Sequence, residues 1–128
     1  MIERILLSLF DFRSVYLIKH KNKIKIGIST NPKRRLKEIE RSIDSRAKIL
    51  LSVKLFKAKA IEKRLHKRFE AQRAIFKGSG KTEYFRLSFL QILSLRFRLR
   101  MIQLFQFVSI IFSTSIIIFL ICLIMSKI

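Results

Sequence analysis

The last fifth of the chain constrains it most. From Met101 to Ser126 no residue is charged, and Met101–Met125 is a run of 25 mostly apolar residues. A helix rises about 1.5 Å per residue, and about 20 apolar residues cross the hydrocarbon of a bilayer. The stretch has no polar face of the kind a surface helix of a soluble bundle carries. It reads as a transmembrane helix over residues 101–125, a single-pass C-terminal anchor in the lipid bilayer. The basic cluster Arg96, Arg98 and Arg100 ahead of it places the preceding domain on the cytoplasmic side of the membrane. Residues 88–100 read as a basic linker or a short amphipathic helix.

What precedes the anchor is small and strongly cationic. Twenty-seven of the 28 Lys and Arg residues and all eight acids lie in residues 1–100, a net charge of +19. Such a charge implies polyanionic partners, nucleic acid phosphates or anionic lipid headgroups. The single cysteine, Cys122, lies in the apolar tail, so neither a disulfide framework nor a cysteine zinc site forms within the chain. Residues 1–13 form an apolar leader, too short to span a bilayer and without a signal-peptide cleavage site. The leader is expected to be a helix packed on the domain.

Between leader and linker, residues 14–87 carry alternating strand and helix signals. Val15–Lys19 and Lys23–Ile28 read as strands joined by a polar loop, in which His20 is expected to be exposed. A four-residue loop pairs Tyr16 with Gly27 and Ile18 with Lys25. That register gathers Val15, Leu17, Ile24, Ile26 and Ile28 on a core face and Tyr16, Lys25 and Gly27 on the other. Asn31-Pro32 starts a helix to about Ser42, with Leu36, Ile39 and Ile43 as its buried stripe. Ile49–Phe56 reads as a third strand. Lys57–Arg73 reads as a helix burying Ile61, Leu65 and Phe69, with Glu62, His66 and Arg73 on an adjacent face. Gly78-Ser79-Gly80 is a loop before a short closing strand, Thr82–Leu87. The expected fold is α+β, a small three-stranded antiparallel sheet flanked by helices, plus the C-terminal transmembrane helix.

The ordered set Tyr16, Lys25-Ile26-Gly27, Asn31-Pro32-Lys33-Arg34-Arg35-Leu36, Ile61-Glu62-Lys63-Arg64-Leu65-His66 and Thr82-Glu83-Tyr84-Phe85 resembles the GIY-YIG nuclease superfamily. More narrowly it looks like the phage-associated branch, with Lys-Ile-Gly as the second motif and Glu-x-x-x-His on the later helix. The resemblance covers residues 14–87 and implies a metal-dependent endonuclease that hydrolyses DNA phosphodiester bonds. It implies Tyr16, Lys25, Arg35 and His66 as catalytic residues, Glu62 as the ligand of one divalent metal, Mg²⁺, and Ile26 and Gly27 as the structural motif. Arg35 would bind the scissile phosphate in a bidentate fork, and Tyr16 would orient or activate the attacking water. A phenol is scarcely ionised at neutral pH, and a nearby cation favours its ionisation; Lys25 is the expected cation, at a position where most of the superfamily has a second tyrosine. Lys33, Arg34, Lys37 and Arg41 would track the DNA backbone with little sequence selectivity.

Two other readings use the same residues. One is a non-catalytic nucleic-acid-binding module tethered to a membrane. The other is a basic protein lying on anionic lipid, which leaves the ordered Tyr–Gly–Arg–Glu set without a purpose.

Overall fold

A computed structural model describes residues 1–4, 10–74 and 84–128. Residues 5–9 of the leader, the Gly78-Ser79-Gly80 loop and Thr82-Glu83 lie outside the described residues. The elements run β1 (Phe12–His20), β2 (Lys23–Ser29), α1 (Pro32–Ile43), β3 (Lys48–Phe56), α2 (Ala58–Arg68), a 3₁₀ turn (Glu70–Gln72), β4 (Tyr84–Phe85) and α3 (Phe89–Ser126). The sheet has four antiparallel strands in the order β3-β1-β2-β4. The expectation of three strands is thus corrected. The closing segment pairs with β2 through Ile24↔Phe85 and Lys25↔Tyr84 and becomes a fourth strand.

The hairpin register follows from side-chain alternation. Tyr16 faces Gly27 and Ile18 faces Lys25. His20 pairs with Lys23, so the turn is only Lys21-Asn22, with Lys21 in the left-handed region at φ 52°. Val15-Tyr16-Leu17-Ile18 is a continuous apolar run, and all four residues are buried. A central strand with both faces covered has this pattern. On one face Val15, Leu17, Ile24 and Ile26 meet Leu51, Val53 and Leu55, under Ile61 and Leu65 of α2 and Leu95 and Leu99 of α3. On the other, Tyr16 and Ile18 lie under Leu36, Ile39 and Ile43 of α1.

Each helix start has its own polar support. Asn31 Oδ1 accepts from the Arg34 N–H at 3.1 Å, and Pro32 holds the first helical position of α1. In α2 the preceding Lys57 is left-handed and gives no side-chain cap. Asp11, at the foot of β1, supplies it instead: Oδ2 accepts from the Lys59 N–H at 2.9 Å, and Oδ1 meets Arg13 Nε at 2.6 Å. α2 stops at Arg68 rather than Arg73, and Arg73 instead bridges to Phe85.

α3 is one unbroken helix of 38 residues. Ser88 and Gln91 form a reciprocal capping box at its start. Its first third packs in the core through Leu95 and Leu99, and further on Gln106 grips Phe56. The Phe56 N–H donates to Gln106 Oε1 at 2.8 Å, and Gln106 Nε2 donates to the Phe56 carbonyl at 2.9 Å. β3 is an edge strand, so this carboxamide stands in for the missing neighbour strand and blunts the edge. Beyond it the large apolar side chains from Ile111 to Met125 are exposed. Among the described residues α3 is the one helix long and apolar enough to cross a membrane.

Candidate functional site

Gly27 is the floor of the site. The Tyr16 ring folds across it from the neighbouring strand, and a Cβ at position 27 would lie 2.6 Å from Tyr16 Cζ and closer still to the hydroxyl. Only a residue without a side chain leaves the phenol this seat. Tyr16 is 1% exposed, and its hydroxyl is hydrogen-bonded to Arg35 in the first turn of α1. A guanidinium delivered by the Asn31-Pro32 helix start thus lies beside the phenol.

Arg35 has a second anchor. Its Nη1 donates to Glu38 Oε2 at 3.1 Å, while Arg34 Nε meets Glu38 Oε1 at 3.4 Å. These bonds follow from i, i+3 and i, i+4 spacing on one helix. Glu38, then the phenol of Tyr16, hold the Arg35 guanidinium above its ordinary pKa, against the opposing effect of burial. Sequence reasoning missed Glu38, although its spacing from Arg34 and Arg35 is a readable signal.

Lys25 shares the face of Tyr16 and Gly27, as the register predicts, and is buried there. It is 0% exposed, and its Nζ lies 5.0 Å from the centre of the Tyr84 ring, which β4 brings alongside. A buried ammonium over an aromatic face keeps part of the stabilisation it loses on leaving water. His20, expected in solvent, is 5% exposed. It lies on the face of Tyr16 and Ile18, and burial, followed by Lys21 and Lys23, holds its pKa below the ordinary histidine value.

His66 and Glu62 come from α2, on the opposite side of the sheet. His66 Nε2 is 2.8 Å from the carbonyl of Ile26, one residue past the last β2–β4 pair. A carbonyl only accepts, so Nε2 carries the proton and Nδ1 is left to face other groups. The ring also stacks near Phe85, at 5.2 Å between centroids. Glu62 is half-buried one turn earlier, and its charge acts on Arg13 of β1. The Lys25-Ile26-Gly27 strand is thus approached by Tyr16 and Arg35 from one side and by His66 from the other. Lys33, Lys37 and Arg41 project from the outer side of α1, as does Arg34 beside Glu38.

The T5orf172 domain profile matches residues 13–100. The chain belongs to the T5orf172 domain family. The T5orf172 domain is a phage-associated, GIY-YIG-like, nuclease-related domain. The match takes in the first third of α3, in keeping with Leu95 and Leu99 being part of the T5orf172 core. No curated protein and no solved structure matches the chain.

The donor set can be judged against a hard divalent cation. Among the described residues no three His, Cys, Asp or Glu side chains gather. A half-buried Glu62 with His66 one turn away offers one carboxylate and a nitrogen that can hold a water. Mg²⁺ is commonly held by one or two carboxylates, waters and substrate phosphates, so these residues fit it.

Proposed function

We propose that this chain is a metal-dependent endonuclease that hydrolyses DNA phosphodiester bonds, with its T5orf172 domain anchored to a membrane by the apolar part of α3 and held on the cytoplasmic side. The observation that carries this reading is the Tyr16 phenol seated on Gly27 and hydrogen-bonded to Arg35, in a nuclease-related family.

In this reading the outer cations of α1 meet the phosphate backbone first. The scissile phosphate then exchanges with Glu38 for the Arg35 fork, which offers paired donors to two of its oxygens. Arg35 bound to phosphate still flanks the phenol, and a cation beside a phenol favours its ionised form. Tyr16 in that state can take a proton from the attacking water. Glu62, on the α2 side of the sheet, would hold Mg²⁺, whose chemistry when bound is charge stabilisation in phosphoryl transfer. His66, its Nε2 fixed on the Ile26 carbonyl, would present Nδ1 to water or phosphate.

The test is plasmid nicking by the full chain in detergent with Mg²⁺, beside Arg35→Ala, Glu62→Ala and Tyr16→Phe. Each variant is expected to lose about a hundredfold or more in rate, the scale of removing one transition-state stabiliser. DNA binding should change far less for Glu62→Ala than its rate does. No nicking by the parent chain, where it binds DNA, would sink the enzyme reading.

The burial of Lys25 favours a second reading, a membrane-tethered nucleic-acid-binding module without catalysis. It expects salt-sensitive DNA binding that survives Glu62→Ala and no Mg²⁺-dependent cleavage.

A further inference from the structure

The end of the domain where α3 leaves it carries a second basic surface, separate from α1. A cavity of about 770 Å³ opens there, lined by Arg4, Arg13, Lys57, Lys59, Lys63 and Arg64. Asp11 also lines it, but that carboxylate is already committed to Arg13 and to the Lys59 N–H. Among the described residues that line it, six cations thus surround one neutralised acid. Among the described residues Lys57, Lys59, Lys63 and Arg64 make no ion pair with protein.

Position decides what such a cavity faces. Lys57 directly follows Phe56, the residue gripped by Gln106. Beyond Gln106 come 19 residues, Phe107–Met125, without a charge. At 1.5 Å each they extend about 28 Å, close to the roughly 30 Å of a hydrocarbon core. Under the proposed anchoring Gln106 marks the lipid boundary, and Lys57 lies at headgroup level. Phe12 and Phe56 stack at 4.5 Å between centroids at the same end, and Phe12 is 47% exposed. Together with Phe107 and Ile110 of α3 they line an apolar depression of about 290 Å³. Aromatic side chains beside a ring of lysines and arginines form the pattern of a protein surface resting on anionic lipid. The α1 cations lie on the other side of the sheet, with the Tyr16–Arg35 pair, where DNA is proposed to bind.

We infer that the cavity between β1 and α2 is a binding site for the phosphate headgroup of an anionic lipid, which fixes the tilt of the domain on the bilayer while the α1 face stays open to DNA. The inference rests on the proposed membrane anchoring and goes beyond it by naming the ligand class and the residues that hold it.

The test uses the full chain. Flotation with neutral phosphatidylcholine vesicles examines anchoring, and spin-labelled lipid competition then gives the association constant of phosphatidylglycerol relative to phosphatidylcholine. The parent is expected to float with neutral vesicles and to prefer phosphatidylglycerol by about fivefold or more, the scale of one or more basic residues at the surface. Lys57→Gln/Lys59→Gln/Lys63→Gln should bring the ratio close to one, the corresponding arginine variant should keep it, and Lys33→Gln/Lys37→Gln/Arg41→Gln should keep it too. Failure to float with neutral vesicles removes the anchoring reading itself. Floating with no preference, or an equal loss in the α1 variant, overturns the headgroup site alone. A cavity variant that loses affinity for a short DNA duplex while keeping its lipid preference makes the cavity a nucleic-acid surface and overturns the inference as well.

Discussion

A methyl group at position 27 has nowhere to go while the Tyr16 ring lies over it. Gly27→Ala should displace the phenol, disturb its bond to Arg35 and destabilise the domain by about 1–3 kcal/mol, the usual scale of overpacking. Chemical unfolding followed by circular dichroism measures this, and an unchanged midpoint would contradict the close approach. Glu38 gives a second single-residue expectation. Glu38→Gln releases Arg34 and Arg35 from a common carboxylate, so DNA affinity should rise by a few-fold at low salt, as read by a fluorescence titration. The Tyr16–Gly27 pairing is legible in the sequence because strand alternation fixes register once the turn is placed. The burial of Lys25 and His20 is not. Alternation tells which residues share a face, but the covers over that face come from α1 and from β4, and neither is local to the hairpin. One signal is present: Val15-Tyr16-Leu17-Ile18 is apolar at every position, as a strand covered on both sides should be.

Among the elements, α2 depends on a residue 48 positions away from its first turn. Asp11→Ala removes both the acceptor for the Lys59 N–H and the partner of Arg13, and should cost about 1 kcal/mol, the typical effect of removing a helix cap. The pH dependence has a definite sign. Arg13 first, and then the Lys59 N–H, hold Asp11 below the usual carboxylate range against the opposing effect of burial. Its contribution is complete above about pH 3.9 and is lost as pH falls through the lower folded value. His20 acts higher on the scale. Burial depresses its folded pKa, so stability is complete above about pH 6.5 and declines as pH falls toward the folded value. Urea midpoints from pH 7 to pH 3 should therefore decline in two steps, with His20→Gln flattening the upper and Asp11→Asn the lower. No local pattern marks Asp11 as the cap of a helix so distant in sequence. By contrast Asn31-Pro32 announces α1 directly, because cap and first turn are adjacent.

At the scale of the whole molecule, a domain with a net charge of +19 should bind DNA with strong salt dependence. Removing Lys37 or Arg41 should weaken binding across all sequences. The slope of log affinity against log salt should become shallower by about one for each phosphate no longer neutralised, as read by titrations at several salt concentrations. The apolar tail is legible as a span from composition alone. Its attachment is not, because Gln106 reads as just another of the scattered uncharged polar residues of a hydrophobic run and acts as a clamp on the edge of β3. That clamp, with the unbroken course of α3, leaves no swivel between domain and span. Under the proposed anchoring, the height of the chemistry above the lipid is set by strand geometry. Tyr16 stands four residues along β1 from Phe12, about 13 Å at strand spacing. A duplex reaching it would have to run alongside the bilayer, so the chain would act on nucleic acid pressed to the membrane and leave the interior of the compartment untouched.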